Sequence, residues 1–202
     1  MTYDPDVHRR RSIRLQGYDY SCSGAYFVTM CTENRECLFG EIVADEMRLN
    51  DAGQMVQMVW EQLPDHYPGV DVDGFVVMPN HIHGIIVLAG DPVGATLCGP
   101  PGQARGQGQA RGPAPTRMSL PDVVQRFKSF TTTLCRRGVK ERGWPPFPGR
   151  FWQRNYYEHI VRNDDELNCI RAYIQMNPAR WAWDRQNADA IPGWKPDAPW
   201  QV

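Results

Sequence analysis

Residues 74–88 have the sequence GFVVMPNHIHGIIVL, which is apolar on both sides of a Pro79-Asn80 step. Runs rich in β-branched and aromatic residues predict strands, and the short polar step between the two runs predicts a tight antiparallel connection. Because side chains alternate between the two faces of a strand, His81 and His83 project from one face and Ile82 from the other. Two imidazoles on one rigid face can bind a divalent metal ion, although two ordinary buried histidines would give the same pattern.

The overall charge of the chain is close to neutral, but its basic residues are clustered. The 202 residues carry a formal net charge of −1, and their number predicts one domain of ordinary size. Local basic patches can bind a phosphate backbone even when the total charge is neutral, and an ordinary solvated surface would look similar. The candidate nucleic-acid contacts are Arg9, Arg10, Arg11, Arg14, Arg126, Lys128 and Arg154.

The six cysteines show no paired spacing, and the first fifteen residues are charged rather than apolar. These features predict reduced thiols, no secretory leader and a cytoplasmic protein. The longest apolar runs have the length of strands, so no membrane span is expected.

The order of predicted elements is β-β-α-β-β-α-β-α. Strands are expected over 25–31, 38–43, 70–78, 81–89 and 156–161, and helices begin after the capping residues Asn50, Ser119 and Asn163. The first helix is expected to stop before Pro64 and the last before Pro178. The buried stripe of the second is expected to contain Val123, Phe127, Phe130 and Leu134. This order predicts an α+β fold, in which helices pack on an antiparallel sheet of four to five strands.

One domain is expected over residues 1–182, followed by an extended tail over 183–202. Residues 90–116 are rich in Gly, Pro and Arg and contain the pentapeptide GQARG twice, at 102–106 and 108–112. Such low complexity predicts a flexible insertion rather than a structural repeat.

The last predicted helix carries two polar residues that border its apolar stripe. Tyr173 and Asn177 are four residues apart, hence one turn above each other, and they lie beside Ile170 and Ile174 at 100° per residue. Their side chains are therefore directed towards the sheet. An amide oxygen can be a third ligand for a hard cation and a phenol can be a nucleophile, although each residue alone fits an ordinary boundary position.

Several motifs occur together in the order typical of one family. They are GAYFVT at 24–29, VMPNHIH at 77–83, FKS at 127–129, FWQRNYYEHIVR at 151–162 and YIQMNP at 173–178. With them, residues 10–182 resemble the single-tyrosine HUH transposases, and most of all the REP-associated tyrosine transposases. The resemblance implies a ferredoxin-like HUH endonuclease fold, a Mg²⁺ or Mn²⁺ ion, and cleavage of single-stranded DNA near REP-like hairpins.

Carried over residue by residue, the resemblance implies that His81, His83 and Asn177 bind the metal and that Tyr173 attacks the scissile phosphate. The products would be a 5′-phosphotyrosine and a free 3′-OH. Tyr156 and Tyr157 are weaker candidates for the nucleophile, since their strand context favours packing or stacking. We expect a monomer acting in cis rather than a dimer, located with the bacterial nucleoid in the cytoplasm.

Other classes fit the sequence less well. The histidine-triad hydrolases need a third histidine at position 85, which is Ile85, and the two-histidine phosphodiesterases need two separated His-x-Ser/Thr motifs, which are absent. A zinc hydrolase would need a carboxylate or a further His or Cys near the pair, and no nearby spacing supplies one. Relaxases and rolling-circle initiators share the metal and tyrosine chemistry. A module that only binds single strands also stays open.

Overall fold

The computed structural model describes residues 15, 17–89, 118–147 and 149–191. Residues Arg9–Arg14 and the predicted insertion at 90–116 lie outside the described residues. The strands are β1 (Gly24–Cys31), β2 (Gly40–Val43), β3 (Glu46–Leu49), β4 (Val70–Met78), β5 (His81–Leu88) and β6 (Tyr157–Ile160). The helices are α1 (Asp51–Glu61), α2 (Leu63–His66), α3 (Leu120–Arg142) and α4 (Asp164–Met176), with 3₁₀ turns at Glu33–Arg35 and Pro178–Trp183.

The main sheet has four antiparallel strands in the order β4-β5-β1-β6. Strands β4 and β5 form the predicted hairpin around Pro79 and Asn80, and β5 pairs with β1 along its whole length. The register places His81 opposite Cys31 and His83 opposite Thr29. With helices packed on this sheet, the predicted α+β fold class is confirmed.

The two faces of the sheet bury different sets of side chains. A large core includes Trp60 of α1, Phe127 of α3 and Ile82 of β5. A smaller core on the opposite face contains Phe27, Ile85, Ile170 and Ile174, and it places α4 over the face from which His81 and His83 project. The apolar stripe of α4 therefore directs the functional helix onto the histidine face.

A separate two-stranded hairpin, β2–β3, was not expected from the sequence. Its turn residues Ala44 and Asp45 both have positive φ, 53° and 64°. A two-residue hairpin turn of this kind is usually built from Asn-Gly or Asp-Gly, and an alanine in the left-handed region gives no such signal. Because this turn signal is missing, the sequence does not predict β3.

The helix ends largely follow the sequence. The side chains of Asn50, Ser119 and Asn163 accept hydrogen bonds from the first turns of α1, α3 and α4. Helix α1 ends at Glu61, before Pro64 as expected, and Pro64 lies in the separate single turn of α2. One detail differs: Phe130 is 48% exposed rather than buried. The buried stripe of α3 continues instead through Phe127, Thr131, Cys135 and Gly138.

Cys22 forms a disulfide bond, so the expectation of reduced thiols is wrong at this position. Cys31, Cys37, Cys135 and Cys169 are free. In the described part of the chain, the length and apolarity needed to cross a membrane are not met by any helix.

Gly84 provides a direct test of how tightly the large core is packed. A Cβ atom at Gly84 would lie 2.3 Å from Cζ2 of Trp60, whose ring stacks on Phe75 with centroids 4.5 Å apart. Because the Trp60 ring is almost fully buried and tightly packed, we expect Gly84→Ala to lower the free energy of unfolding by about 1–3 kcal/mol in urea titrations. Gly74→Ala is the matched control, since its Cβ would meet Ile174 at an ordinary 3.5 Å. Equal stability of the two variants would contradict this packing.

Candidate active site

The two histidines of β5 converge on one point. His81 and His83 are 0% and 2% exposed, and their Nε2 atoms lie 3.0 Å apart. Their rings meet edge to face, with centroids 4.6 Å apart. The predicted common face is thus confirmed, and the two side chains present a pair of nitrogen atoms to a single position.

The outer nitrogen of each imidazole has its own partner. Nδ1–H of His81 donates to Oδ1 of Asn80 at 2.8 Å, and Nδ1 of His83 lies 2.8 Å from Oγ1 of Thr29. The orientation of the Asn80 amide follows from its NH₂ group, which donates to the carbonyl oxygens of Arg35 and Gln186. With Nδ1 protonated, Nε2 of His81 carries the lone pair. Such hydrogen bonds to the outer nitrogen are what orient metal-binding histidines.

Burial keeps both imidazoles uncharged at neutral pH. It lowers the pKa of His81 to about 3, with a further contribution from the positive charge of Arg35. The pKa of His83 lies well below its usual value, first through burial and second through its neighbour His81. Neutral imidazole is the form that binds metal ions, so the site is ready for a cation without first losing protons.

Tyr173 reaches the same position from α4. Its phenol oxygen lies 3.5 Å from Nε2 of His83, and its ring contacts the rings of His83 and Phe27 edge to face. Helix α4 is held over the sheet by the small core around Phe27 and Ile85. It is also held by Arg171, which donates from Nε and Nη2 to the carboxylate of Asp73 on β4. The structure therefore brings together Tyr173 and the two histidines, as the sequence predicted.

Asn177 follows α4 by one residue and is buried, with 2% of its surface exposed. Within the described residues, its side-chain oxygen Oδ1 has no hydrogen-bond partner. An unsatisfied buried acceptor typically costs about 1–3 kcal/mol, and such an atom in a native fold calls for a partner such as an ion. The unsatisfied oxygen, one helical turn beyond Tyr173, fits the predicted role of Asn177 as a metal ligand.

The C-terminal segment supplies a carboxylate that the sequence did not reveal. Oδ2 of Asp184 lies 3.6 Å from Nε2 of His81, and ligand atoms of Asp184, His81 and His83 all fall within 4.8 Å of one another. Trp181 stacks on His81 at 6.0 Å between centroids, and Gln186 contacts Cys31 and Asn80. Asp184 lies in the tail, about a hundred residues from the histidines, and no spacing rule links the two. This cluster could hold a metal ion.

The three predicted DNA-contacting residues that the structure describes, Arg126, Lys128 and Arg154, do not form one group. Lys128 donates to the carbonyl oxygens of Gln153 and Asn155, and burial lowers its pKa to about 8. Arg154 is exposed in the same segment, whereas Arg126 lies over the ring of Tyr67 on the other side of α3. The ammonium group of Lys128 thus already binds backbone carbonyls, while Arg126 and Arg154 remain exposed.

An uncharacterized protein of Haemophilus influenzae is 41% identical over 188 residues, which cover 93% of this chain and 98% of that protein. The chain belongs to the same family as that protein. No protein-family model matches the chain.

A second Haemophilus influenzae protein, a putative REP-associated tyrosine transposase, is 22% identical over 80% of this chain and 74% of its own length. Among solved structures, a REP-associated tyrosine transposase bound to a REP hairpin matches with a TM-score of 0.52 and 17% identity, covering 86% of this chain and 77% of that chain. These matches confirm the resemblance noted in the sequence, and the second confirms the fold. They support a transposase-like role in DNA processing.

The hydroxyl group of Thr29 offers a test of the histidine orientation. In Thr29→Val the shape is kept but Nδ1 of His83 loses its partner, so we expect Mn²⁺ binding to weaken by roughly tenfold or more. Isothermal titration with Mn²⁺ measures this change. Thr29→Ser keeps the hydroxyl group and should bind Mn²⁺ like the parent protein; equal weakening in both variants would exclude this role of the hydroxyl.

Burial of the neutral histidines also predicts how stability depends on pH. The folded pKa of His81 is about 3, below the ordinary 6.5, so the unfolded chain binds protons first as the pH falls. In metal-free buffer, the free energy of unfolding should therefore decrease from pH 6.5 to pH 5, by up to about 1.4 kcal/mol per pH unit for each such histidine. Urea unfolding of a His81→Gln/His83→Gln double variant should show a flatter dependence. An unchanged slope would contradict the assignment.

Proposed function

We propose that this protein is a metal-dependent endonuclease and strand transferase for single-stranded DNA, acting through a 5′-phosphotyrosine at Tyr173. The observation that carries the proposal is the position of the Tyr173 phenol oxygen, 3.5 Å from Nε2 of His83 where the two histidine nitrogens converge. A nucleophile beside a cation site is the arrangement that phosphodiester cleavage requires.

The proposed reaction conserves the phosphodiester bond energy. The Tyr173 oxygen attacks phosphorus, forming a tyrosine–phosphate bond to the 5′ side while the bond from phosphorus to the 3′ oxygen breaks. The phenol proton is transferred to the departing 3′ oxygen, directly or through solvent, so no oxidant, reductant or nucleotide is consumed. A second 3′-OH can reverse the step and join a different strand. Hydrolysis by water would lose this option.

His81, His83 and Asn177 would hold the metal ion, which is Mg²⁺ or Mn²⁺ in this proposal. When bound, the ion neutralises charge on the phosphoryl oxygens during in-line attack. The unsatisfied buried oxygen of Asn177 supports its inclusion, because a hard cation is a suitable partner for an amide oxygen. Asp184 lies close enough to the histidines to join this set while the tail stays in place, but Asn177 remains a ligand in the proposed site.

The proposed substrate is a single strand carrying a REP-like hairpin. Support comes from the fold shared with a transposase that was solved with a REP hairpin, and from the exposed arginines Arg126 and Arg154. Because His81 and His83 are almost fully buried, the segment with Trp181, Asp184 and Gln186 must move before DNA reaches the histidines. We propose a monomer in which Tyr173 acts on a strand bound to the same chain.

The proximity of Asp184 favours a second candidate, a metal-dependent phosphodiester hydrolase. Two histidines and one carboxylate form a common catalytic metal set, in which bound water is the nucleophile. Such an enzyme would cut DNA without forming a covalent adduct and would not need the phenol oxygen of Tyr173. Formation of a covalent DNA adduct therefore distinguishes the transferase from the hydrolase.

Tyr173→Phe removes only the attacking oxygen. With a labelled hairpin oligonucleotide and Mn²⁺, we expect the parent protein to form a covalent DNA adduct on denaturing gels, and the variant to form none while still binding DNA. Tyr157→Phe is the matched control, since Tyr157 packs against the same Phe27 and should keep the adduct. Cleavage without an adduct in the parent protein would favour the hydrolase, and an adduct in Tyr173→Phe would assign the nucleophile elsewhere.

The metal assignment predicts a second result. Excess chelator should abolish adduct formation, and Mn²⁺ should restore it, because the charge on the phosphate would otherwise remain uncompensated. Asn177→Leu keeps a similar volume but removes the ligand oxygen, so the Mn²⁺ concentration at half-maximal activity should rise by roughly tenfold or more. Asp184→Asn should shift it less. Full activity in chelator would exclude a metal role.

A further inference from the structure

A cavity of about 440 Å³ lies on the face of the sheet opposite the candidate active site. Its walls are largely apolar and include the rings of Trp144, Phe147 and Phe151, while Asp51 and Arg142 stand at its edge. A second cavity of about 330 Å³ shares Trp144, Asp51 and Arg142. Trp144 therefore borders both cavities. The volume of the larger cavity falls within the usual range of small-ligand sites.

The indole ring of Trp144 is held in place by three contacts. Gly143 ends α3 with a φ of 71°, and the backbone N–H of Trp144 donates to the carbonyl oxygen of Gly138 at 3.3 Å. The ring lies directly on Gly138, where a Cβ atom would be 2.2 Å away. Its Nε1–H donates to Oδ2 of Asp51 at 3.1 Å. A fixed aromatic ring bordering open space is a suitable stacking platform for a base.

The larger cavity lies at the end of the sheet that carries His81. Leu38 lines it, and the next residue, Phe39, donates from its backbone N–H to the carbonyl oxygen of Pro79, in the turn before His81. Phe151 lines it too, and its carbonyl oxygen accepts from Glu33, just after β1. A strand leaving the histidine face could thus continue around this end of the sheet.

The end of α3 beside the cavities carries more basic than acidic side chains, whereas Asp51 offsets the charge of Arg142 in the lining of the larger cavity. Arg137 and Arg142 line the cavities, and the same helix carries Arg136 and Lys140, which line neither. Glu141 is the acidic residue among them and lies 3.9 Å from Arg137. Basic side chains beside aromatic walls are typical of surfaces that bind single-stranded nucleic acids, where bases stack and phosphates contact the cations.

We propose that the larger cavity binds one unpaired base of the DNA strand, stacked on Trp144, with the adjoining phosphates at Arg142 and Arg137. This inference rests on the proposed function. Oδ2 of Asp51 accepts the hydrogen bond from the indole N–H of Trp144. Its other carboxylate oxygen, Oδ1, can accept a hydrogen bond from an amino group of the base. A carboxylate at this position selects a base that presents a hydrogen-bond donor, as in recognition of the cytosine amino group.

Photo-crosslinking locates the bound strand directly. A single-stranded hairpin oligonucleotide carrying 5-iododeoxycytidine, which keeps the amino group, at successive flanking positions is bound to the Tyr173→Phe protein, so that no strand is cut, and irradiated. Trypsin cuts after Arg142 and Arg150, which isolates residues 143–150 with Trp144 in one peptide. We expect one oligonucleotide position to crosslink to this peptide. Crosslinks that form only elsewhere would overturn the pocket while leaving the proposed function intact, and absence of DNA binding would overturn both.

Binding measurements distinguish stacking of a base on Trp144 from electrostatic attraction between the DNA and the basic side chains of α3. By fluorescence anisotropy, Trp144→Ala and Arg142→Gln should each weaken binding of the same oligonucleotide by roughly tenfold. Arg136→Gln is the matched control, because it removes the same charge from the same helix outside the cavities and should have a much smaller effect. Equal losses in both arginine variants would indicate unspecific attraction and overturn the pocket. Self-association that Trp144→Ala abolishes would assign the cavity to a second copy of the chain instead.

Discussion

The central constraint in this molecule is the approach of two uncharged, buried imidazole nitrogens to within 3.0 Å of each other. Burial favours apolar residues at positions 81 and 83, yet both positions carry histidine, and each outer nitrogen has its own hydrogen-bond partner. Such an arrangement directs the two Nε2 atoms to one position, which a cation can occupy. The pairing of β5 with β1 provides Thr29, and the turn before β5 provides Asn80, so the sheet itself sets the orientation of the pair.

The rest of the site depends on the same face of the sheet. The small core around Phe27 and Ile85 draws α4 onto that face, and this packing brings Tyr173 to His83 and buries the unsatisfied oxygen of Asn177. The opposite face carries the larger core, and Gly84 allows Trp60 to pack directly on β5. Strand β5 therefore contributes to both faces of the sheet. Its odd-numbered residues face the candidate active site and α4, and its even-numbered residues face the large core.

Features with a local or periodic signal could be predicted from the sequence. The common face of His81 and His83 follows from strand alternation, and the placement of Tyr173 beside Asn177 follows from helical spacing. Features that depend on distant packing could not be predicted. Asp184 reaches His81 only because the tail folds back, Phe130 is exposed because the stripe of α3 rotates towards Thr131, and β3 follows a turn without the usual residues.

The most direct test of the metal site is anomalous diffraction from crystals of the protein grown with Mn²⁺, in the presence of a hairpin oligonucleotide. We predict one strong peak at bonding distance from Nε2 of His81, Nε2 of His83 and Oδ1 of Asn177, with the phenol oxygen of Tyr173 near the bound phosphate. The absence of a peak at the histidines, or a peak bound by His81, His83 and Asp184 with Asn177 turned away, would contradict it.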